Sequence, residues 1–176
     1  SALKYGLALL DHEDIIWIPV SLEEILRISS AVKLNKSEGI FSVKNLKEKG
    51  IHSDDLIFIG VNTEDENCLK AYYYPVEVKI GYNFSSVITK GSEQIRKTYK
   101  LLKEQLGTYE IDGHKLFKNK FFRNFFIRLL LANGQKLVAN NIWPEKHMER
   151  LNDLKRYLLN DDYTVSFDLE EIIGKG

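Results

Sequence analysis

The alternation of apolar and polar positions divides the chain into short strand-like runs and longer stretches of helical period. Residues 5–10 and 15–20 are apolar runs separated by the turn-like Asp11-His12-Glu13-Asp14, and they read as two strands. Ser21 with Glu24 three residues on forms a capping box, and Ile25, Leu26, Ile28 and Val32 follow at helical spacing, which predicts a helix to Val32 or Leu34. Residues 36–50 are polar with isolated apolar anchors at Ile40, Phe41, Val43 and Leu46, a loop or short helix closed by Gly50. Residues 56–61 and 71–80 are rich in β-branched and aromatic side chains and flank the acidic segment 62–67, the pattern of a β-hairpin. After Gly81 the period becomes 3.6. Val87, Gly91, Gln94, Ile95, Thr98, Leu101 and Leu102 share one face of a helix reaching Leu106, with Lys97, Lys100 and Lys103 on the other side.

Residues 107–120 read as a basic loop with aromatics that could follow a nucleic-acid backbone. Residues 121–138 form a strongly apolar helix whose Phe121-Phe122, Phe125-Phe126 and Leu129-Leu130-Leu131 stripe is assigned to the core. Its polar members, Arg123, Asn124, Arg128 and Asn133, and its length exclude a membrane span. Trp143-Pro144 opens a last helix over 145–159, and 163–169 reads as a final strand. This order of elements predicts an α/β (α+β) chain with helices flanking one sheet. No linker or repeat divides it, so residues 1–176 read as one domain. The start Ser1-Ala2-Leu3-Lys4, without an initiator Met or a leader, suggests a domain excised from a longer chain.

Composition narrows the classes. Of 176 residues, 44% are hydrophobic and 28% charged, with nine Phe and nine Tyr, which excludes disorder and low complexity. A lone cysteine, Cys68, forms no internal disulfide and points to a reducing, cytoplasmic setting. The four histidines are dispersed, which argues against zinc, and no Gly-rich phosphate loop is present, which argues against ATP hydrolysis by this chain itself. The net charge of zero conceals an asymmetry. Residues 85–136 hold eleven Lys/Arg against four acids, a local charge of +7 that leaves −7 for the rest. Separated acids and bases suit a metal site beside a phosphate-binding face, although two solvated helix faces give the same count.

The chemistry-bearing residues cluster in the hairpin. Glu77 and Lys79, two apart on the second strand, would leave the same face of the sheet, with Val76 and Val78 opposite. An antiparallel partner beginning Ser53-Asp54-Asp55-Leu56 would set Asp55 or Asp54 beside them; Asp55 is preferred because it directly precedes the apolar run. Two carboxylates and a lysine suit metal-assisted phosphodiester hydrolysis, the acids holding Mg²⁺ (or Mn²⁺) and the lysine orienting the attacking water. The plain alternative is a cross-strand ion pair worth under about 1 kcal/mol.

This arrangement resembles the PD-(D/E)xK nuclease superfamily over about residues 20–106. The resemblance implies a restriction-endonuclease-like mixed central sheet flanked by helices and a single nuclease-like domain. Asp55 corresponds to the superfamily's first acid, Glu77 and Lys79 to its Glu-x-Lys, and Gln94 to the glutamine of the following helix. Glu24, or Glu23, takes the place of the acid on the N-terminal helix, unless it serves only as a cap. The RecB-like branch has a tyrosine four residues after the glutamine, where this chain has Thr98 followed by Tyr99. The wider wording is similar to nuclease-like segments attached to ATPases of DNA-modification-dependent (phosphorothioation-type) restriction systems. The implied activity is metal-dependent DNA endonuclease action in restriction, antiviral defence or repair, with Lys90, Arg96, Lys97, Lys118 and Lys120 on the DNA. The alternative is a non-cleaving DNA-binding or partner-docking module beside an ATPase or helicase translocase. A homodimer is compatible with either, and no membrane is involved.

Overall fold

Seven-residue strands made almost wholly of apolar side chains build the centre of the protein. The computed structural model describes residues 2–21, 56–64, 68–78, 82, 84–107, 110–111, 114–115 and 117–168. In chain order these form α1 (Ala2–Leu9), β1 (Ile15–Ser21), β2 (Leu56–Asn62), β3 (Lys70–Val76), α2 (Ser85–Leu106), β4 (Glu110–Ile111), β5 (His114–Lys115), α3 (Phe117–Ala139), α4 (Glu145–Leu159) and β6 (Thr164–Ser166). The main sheet has the order β1-β2-β3-β6, antiparallel except for the parallel β3–β6 pair, so it is mixed. The class is α/β, as the sequence predicted. No described helix is long and apolar enough to cross a membrane.

Both faces of the sheet are covered, which is why its strands read as continuous apolar runs instead of alternating ones. Ile16, Ile18 and Val20, with Ile57, Ile59, Val61, Ala71 and Tyr73, meet Leu102, Leu106, Phe126, Ile127, Leu130, Met148 and Leu151 from α2, α3 and α4. The opposite parity, Ile15, Trp17, Phe58 and Tyr72, packs with Leu3, Leu7 and Leu10. Close approach is needed on this second face: a Cβ on Gly6 would lie 2.6 Å from the Phe58 ring, and one on Gly60 2.8 Å from that of Trp17. Among the described residues Pro19 falls in the edge strand β1 and Pro75 lies beyond the reach of the three-residue β6, the kind of position that tolerates a missing N–H.

Several elements differ from the sequence reading. The segment expected as a first strand is the helix α1. Leu3, Leu7 and Leu10 are spaced for one helix face, and a short apolar run fits helix and strand equally until its packing partner is known. The second hairpin strand ends at Val76, four residues before the expected limit, so Glu77 and Val78 follow the strand instead of belonging to it. The segment expected as a loop over 107–120 contains the β4–β5 hairpin, and Lys118 and Lys120 stand on the first turn of α3. Phe121, assigned to the core, is 44% exposed. The capping-box helix and residues 36–50 lie outside the described residues.

The polar residues of apolar α3 have a structural role that its sequence leaves hidden. Asn119 Nδ2 donates to the carbonyls of Glu104 (3.2 Å), Gln105 (2.9 Å) and Gly107 (3.2 Å), closing the C-terminus of α2. Arg123 Nη1 donates to Leu106 O at 3.2 Å, at the same helix end, where its charge also complements the helix dipole. Asn124 Nδ2 donates to Leu159 O at 3.1 Å and so closes α4. Asn119, Arg123 and Asn124 therefore occupy orphan carbonyls of neighbouring helices, whereas Arg128 and Asn133 bond within α3, to Asn124 Oδ1 and Leu129 O.

Candidate metal and nucleic-acid site

The β2–β3 ladder runs from Asn62↔Lys70 to Leu56↔Val76. Leu56 and Val76 are the chain neighbours of Asp55 and Glu77, so the predicted acids adjoin the two residues of one terminal rung. Glu77 is half-buried and has an interaction partner. A partly covered carboxylate at a strand end, with oxygen donors and no role in the ladder, suits a hard divalent cation. Asp54, Asp55, Lys79, Glu23 and Glu24 lie outside the described residues, so of the predicted catalytic set the structure describes Glu77 and Gln94. Among the described residues no three His, Cys, Asp or Glu side chains gather into a metal-sized cluster.

Gln94 sits half-buried on α2, which packs against both β3 and α3. The helix places its apolar stripe as expected: Gly91, Thr98 and Leu102 are buried, joined by Gln105 and Leu106. Its outer side exposes Lys90, Arg96, Lys97, Lys100 and Lys103, interrupted by Glu93 and Glu104. Lys118 and Lys120 are exposed on the first turn of α3, a turn without acids. Tyr99, beside the position where the RecB-like branch carries its tyrosine, donates its hydroxyl to Phe167 O at 3.1 Å. Burial pushes its phenol above the ordinary value, and the nearby Asp168 adds to the rise.

One member of the basic window does not belong to this face. Arg123 is fully buried. Its Nε pairs with Asp161 Oδ1, Nη2 donates to Tyr163 O at 2.6 Å, and the guanidinium lies 4.4 Å from the Tyr163 ring centre. Desolvation holds the phenols of Tyr73 and Tyr163 far above their usual range, outweighing the lowering effect of Arg123, so both remain neutral. The charge count includes Arg123 in the basic window; its aromatic neighbours, Phe122 and Phe125-Phe126, are the available signal for burial.

Sequence reasoning also left unassigned a groove at the other end of β1. It is lined by Leu7, Asp11, His12 and Glu13, by Trp17 on the strand, and by Trp143, Lys146, His147 and Arg150 around α4. Two of the four histidines, His12 and His147, and both tryptophans meet here across more than a hundred residues of sequence, a convergence no local motif announces.

No protein-family model, curated protein or solved structure matched this chain.

Proposed function

We propose that this chain is a Mg²⁺-dependent DNA nuclease domain of the PD-(D/E)xK type, acting in a restriction or defence assembly. The observation that supports the reading most is the Leu56↔Val76 rung, because Leu56 and Val76 are the chain neighbours of Asp55 and Glu77. The packing of α2 on β3 adds support by joining the Gln94 helix and its row of exposed cations to the same sheet.

In this reading Asp55 and Glu77 hold the ion, and Glu24 completes the acid set. When bound, the ion supplies Lewis acidity and neutralises charge on the phosphodiester. Lys79 orients the attacking water and offsets the charge that builds on the phosphate oxygens. Gln94 steadies the site by hydrogen bonding. Lys90, Arg96, Lys97, Lys118 and Lys120 hold the phosphates on either side of the scissile bond, contacts that position the strand without reading its sequence.

Metal binding tests the donor set without requiring turnover. Titration of Mn²⁺ followed by electron paramagnetic resonance should give a saturable site in the wild type, weakened by about tenfold or more in Asp55→Asn and Glu77→Gln. Equal Mn²⁺ affinity in all three proteins would remove the assignment.

A further inference from the structure

The groove at the start of β1 has the properties of a ligand site and lies away from Glu77. Its strand-end neighbours are Ile15 and Asn62, the first β1–β2 rung, whereas Glu77 follows the rung at the far end. Seven-residue strands separate the two by about 20 Å. The groove has a volume of about 360 Å³, within the range of about 300–1,000 Å³ that holds small ligands.

Two polar atoms of its wall are buried. Among the described residues, the indole Nε1–H of Trp17, a side chain 4% exposed, has no acceptor, and His147 Nδ1 is likewise buried and without a partner. Leaving such groups unsatisfied costs about 1–3 kcal/mol each, which a ligand with acceptor atoms would recover. Trp143 and His147 stack with centroids 5.0 Å apart and planes 30° from parallel, and Leu7, Ile15 and Ile16 add apolar wall. The lining carries both signs of charge. The α1–β1 turn contributes Asp11 and Glu13, and α4 contributes Lys146 and Arg150. Arg150 is fixed in place by hydrogen bonds to Thr63 Oγ1 and to Glu13 O at 3.5 Å.

An apolar and aromatic lining that also carries carboxylate acceptors and cations matches a ring with amino donors that carries an oxyanion. We propose that this groove binds a nucleotide, through its heteroaromatic base and its phosphate. The phosphate lies toward Lys146 and Arg150, and the base lies on the apolar wall with an acceptor atom on the Trp17 indole N–H. The occupant is a free mononucleotide or the terminal nucleotide of a strand. Neither requires the metal site.

The chain has two tryptophans and both line the groove, so the two indole N–H resonances report on it directly. Full-length protein titrated with deoxyadenosine monophosphate, deoxyadenosine, inorganic phosphate and a short single-stranded oligodeoxynucleotide should show a saturable downfield shift of the Trp17 resonance. The shift is expected with the mononucleotide, the oligonucleotide or both, and the pattern identifies the source. Deoxyadenosine or phosphate alone should bind at least about tenfold more weakly. Lys146→Glu, a change at an exposed side chain, and His147→Ala should each weaken the shift by a similar factor, and Glu77→Gln should leave it intact. The proposal is overturned if neither nucleotide form moves the Trp17 resonance at millimolar concentration, if phosphate alone binds as well as the nucleotide, or if Lys146→Glu binds like the wild type.

Discussion

Replacing Arg123 by methionine tests whether the polar residues of α3 hold the helical layer together. The substitution keeps the length and apolar stem of the side chain but removes three donors and a charge from a site with no solvent access. Asp161, 12% exposed, would lose its cation, and the carbonyls of Leu106 and Tyr163 would lose their donors. Removing one partner of a buried ion pair costs about 3–5 kcal/mol, chiefly because the other charge is left uncompensated. For a domain of this size each kcal/mol moves the melting midpoint by about 2–4 °C, so a fall of roughly 6–20 °C is expected in thermal unfolding. Asp161→Gly separates the pair from the turn that carries it. Asp161 adopts a left-handed backbone, φ 65°, which glycine adopts without penalty. If Asp161 served only the turn, glycine would be neutral or stabilising; the ion pair predicts a clear loss, non-additive with that of Arg123→Met. An Arg123→Met variant melting within about 2 °C of the wild type would refute the reasoning.

Three further outcomes follow from the same structure. Gly60→Ala should destabilise by about 1–3 kcal/mol in urea unfolding and alter Trp17 fluorescence, because the new methyl cannot coexist with the ring; unchanged stability and emission would contradict the close packing, which puts the Cβ 2.8 Å from two Trp17 ring carbons. Desolvation, then Lys146 and Arg150, lower the His147 pKa below its ordinary 6.5, so the folded protein binds fewer protons than the unfolded chain as the solution is acidified. Its contribution to stability is therefore full above the unfolded value and lost as pH falls through the lowered folded one, a loss that His147→Gln should diminish in denaturation series from about pH 8 to 5. For the basic face, neutralising Lys97 and Lys118 should reduce the slope of log binding constant against log salt by about 0.9 for each duplex phosphate contact removed, with weaker affinity across all sequences; an unchanged slope in a filter-binding series would take those residues off the DNA.

The long-period elements were legible because their signal is redundant. α2 and α4 repeat their apolar stripes over several turns, and β1 and β2 are bounded by turn residues, so each is found close to its expected limits. α1 departs from the expected strand because the apolar run over 5–10 is too short to separate helix from strand without its packing partner. The end of β3 coincides with the start of its partner: the last rung among the described residues is Leu56↔Val76. Register was legible in outline, since the hairpin brings the start of one strand beside the end of the other. Arg123 and the Trp17–His147 groove were not, because burial of a cation and the meeting of distant aromatics depend on how α3 and α4 pack, which no window of sequence contains.

The most direct measurement of the central claim is cleavage of supercoiled plasmid and of single-stranded DNA by the wild-type protein, Glu77→Gln and Lys79→Ala, with Mg²⁺ or Mn²⁺ and with chelator. The account predicts cutting that requires the metal and falls by at least about a hundredfold in both variants. Wild-type protein that binds DNA in a salt-dependent manner but leaves both substrates intact with either metal, or variants that cut as fast as the wild type, would contradict it.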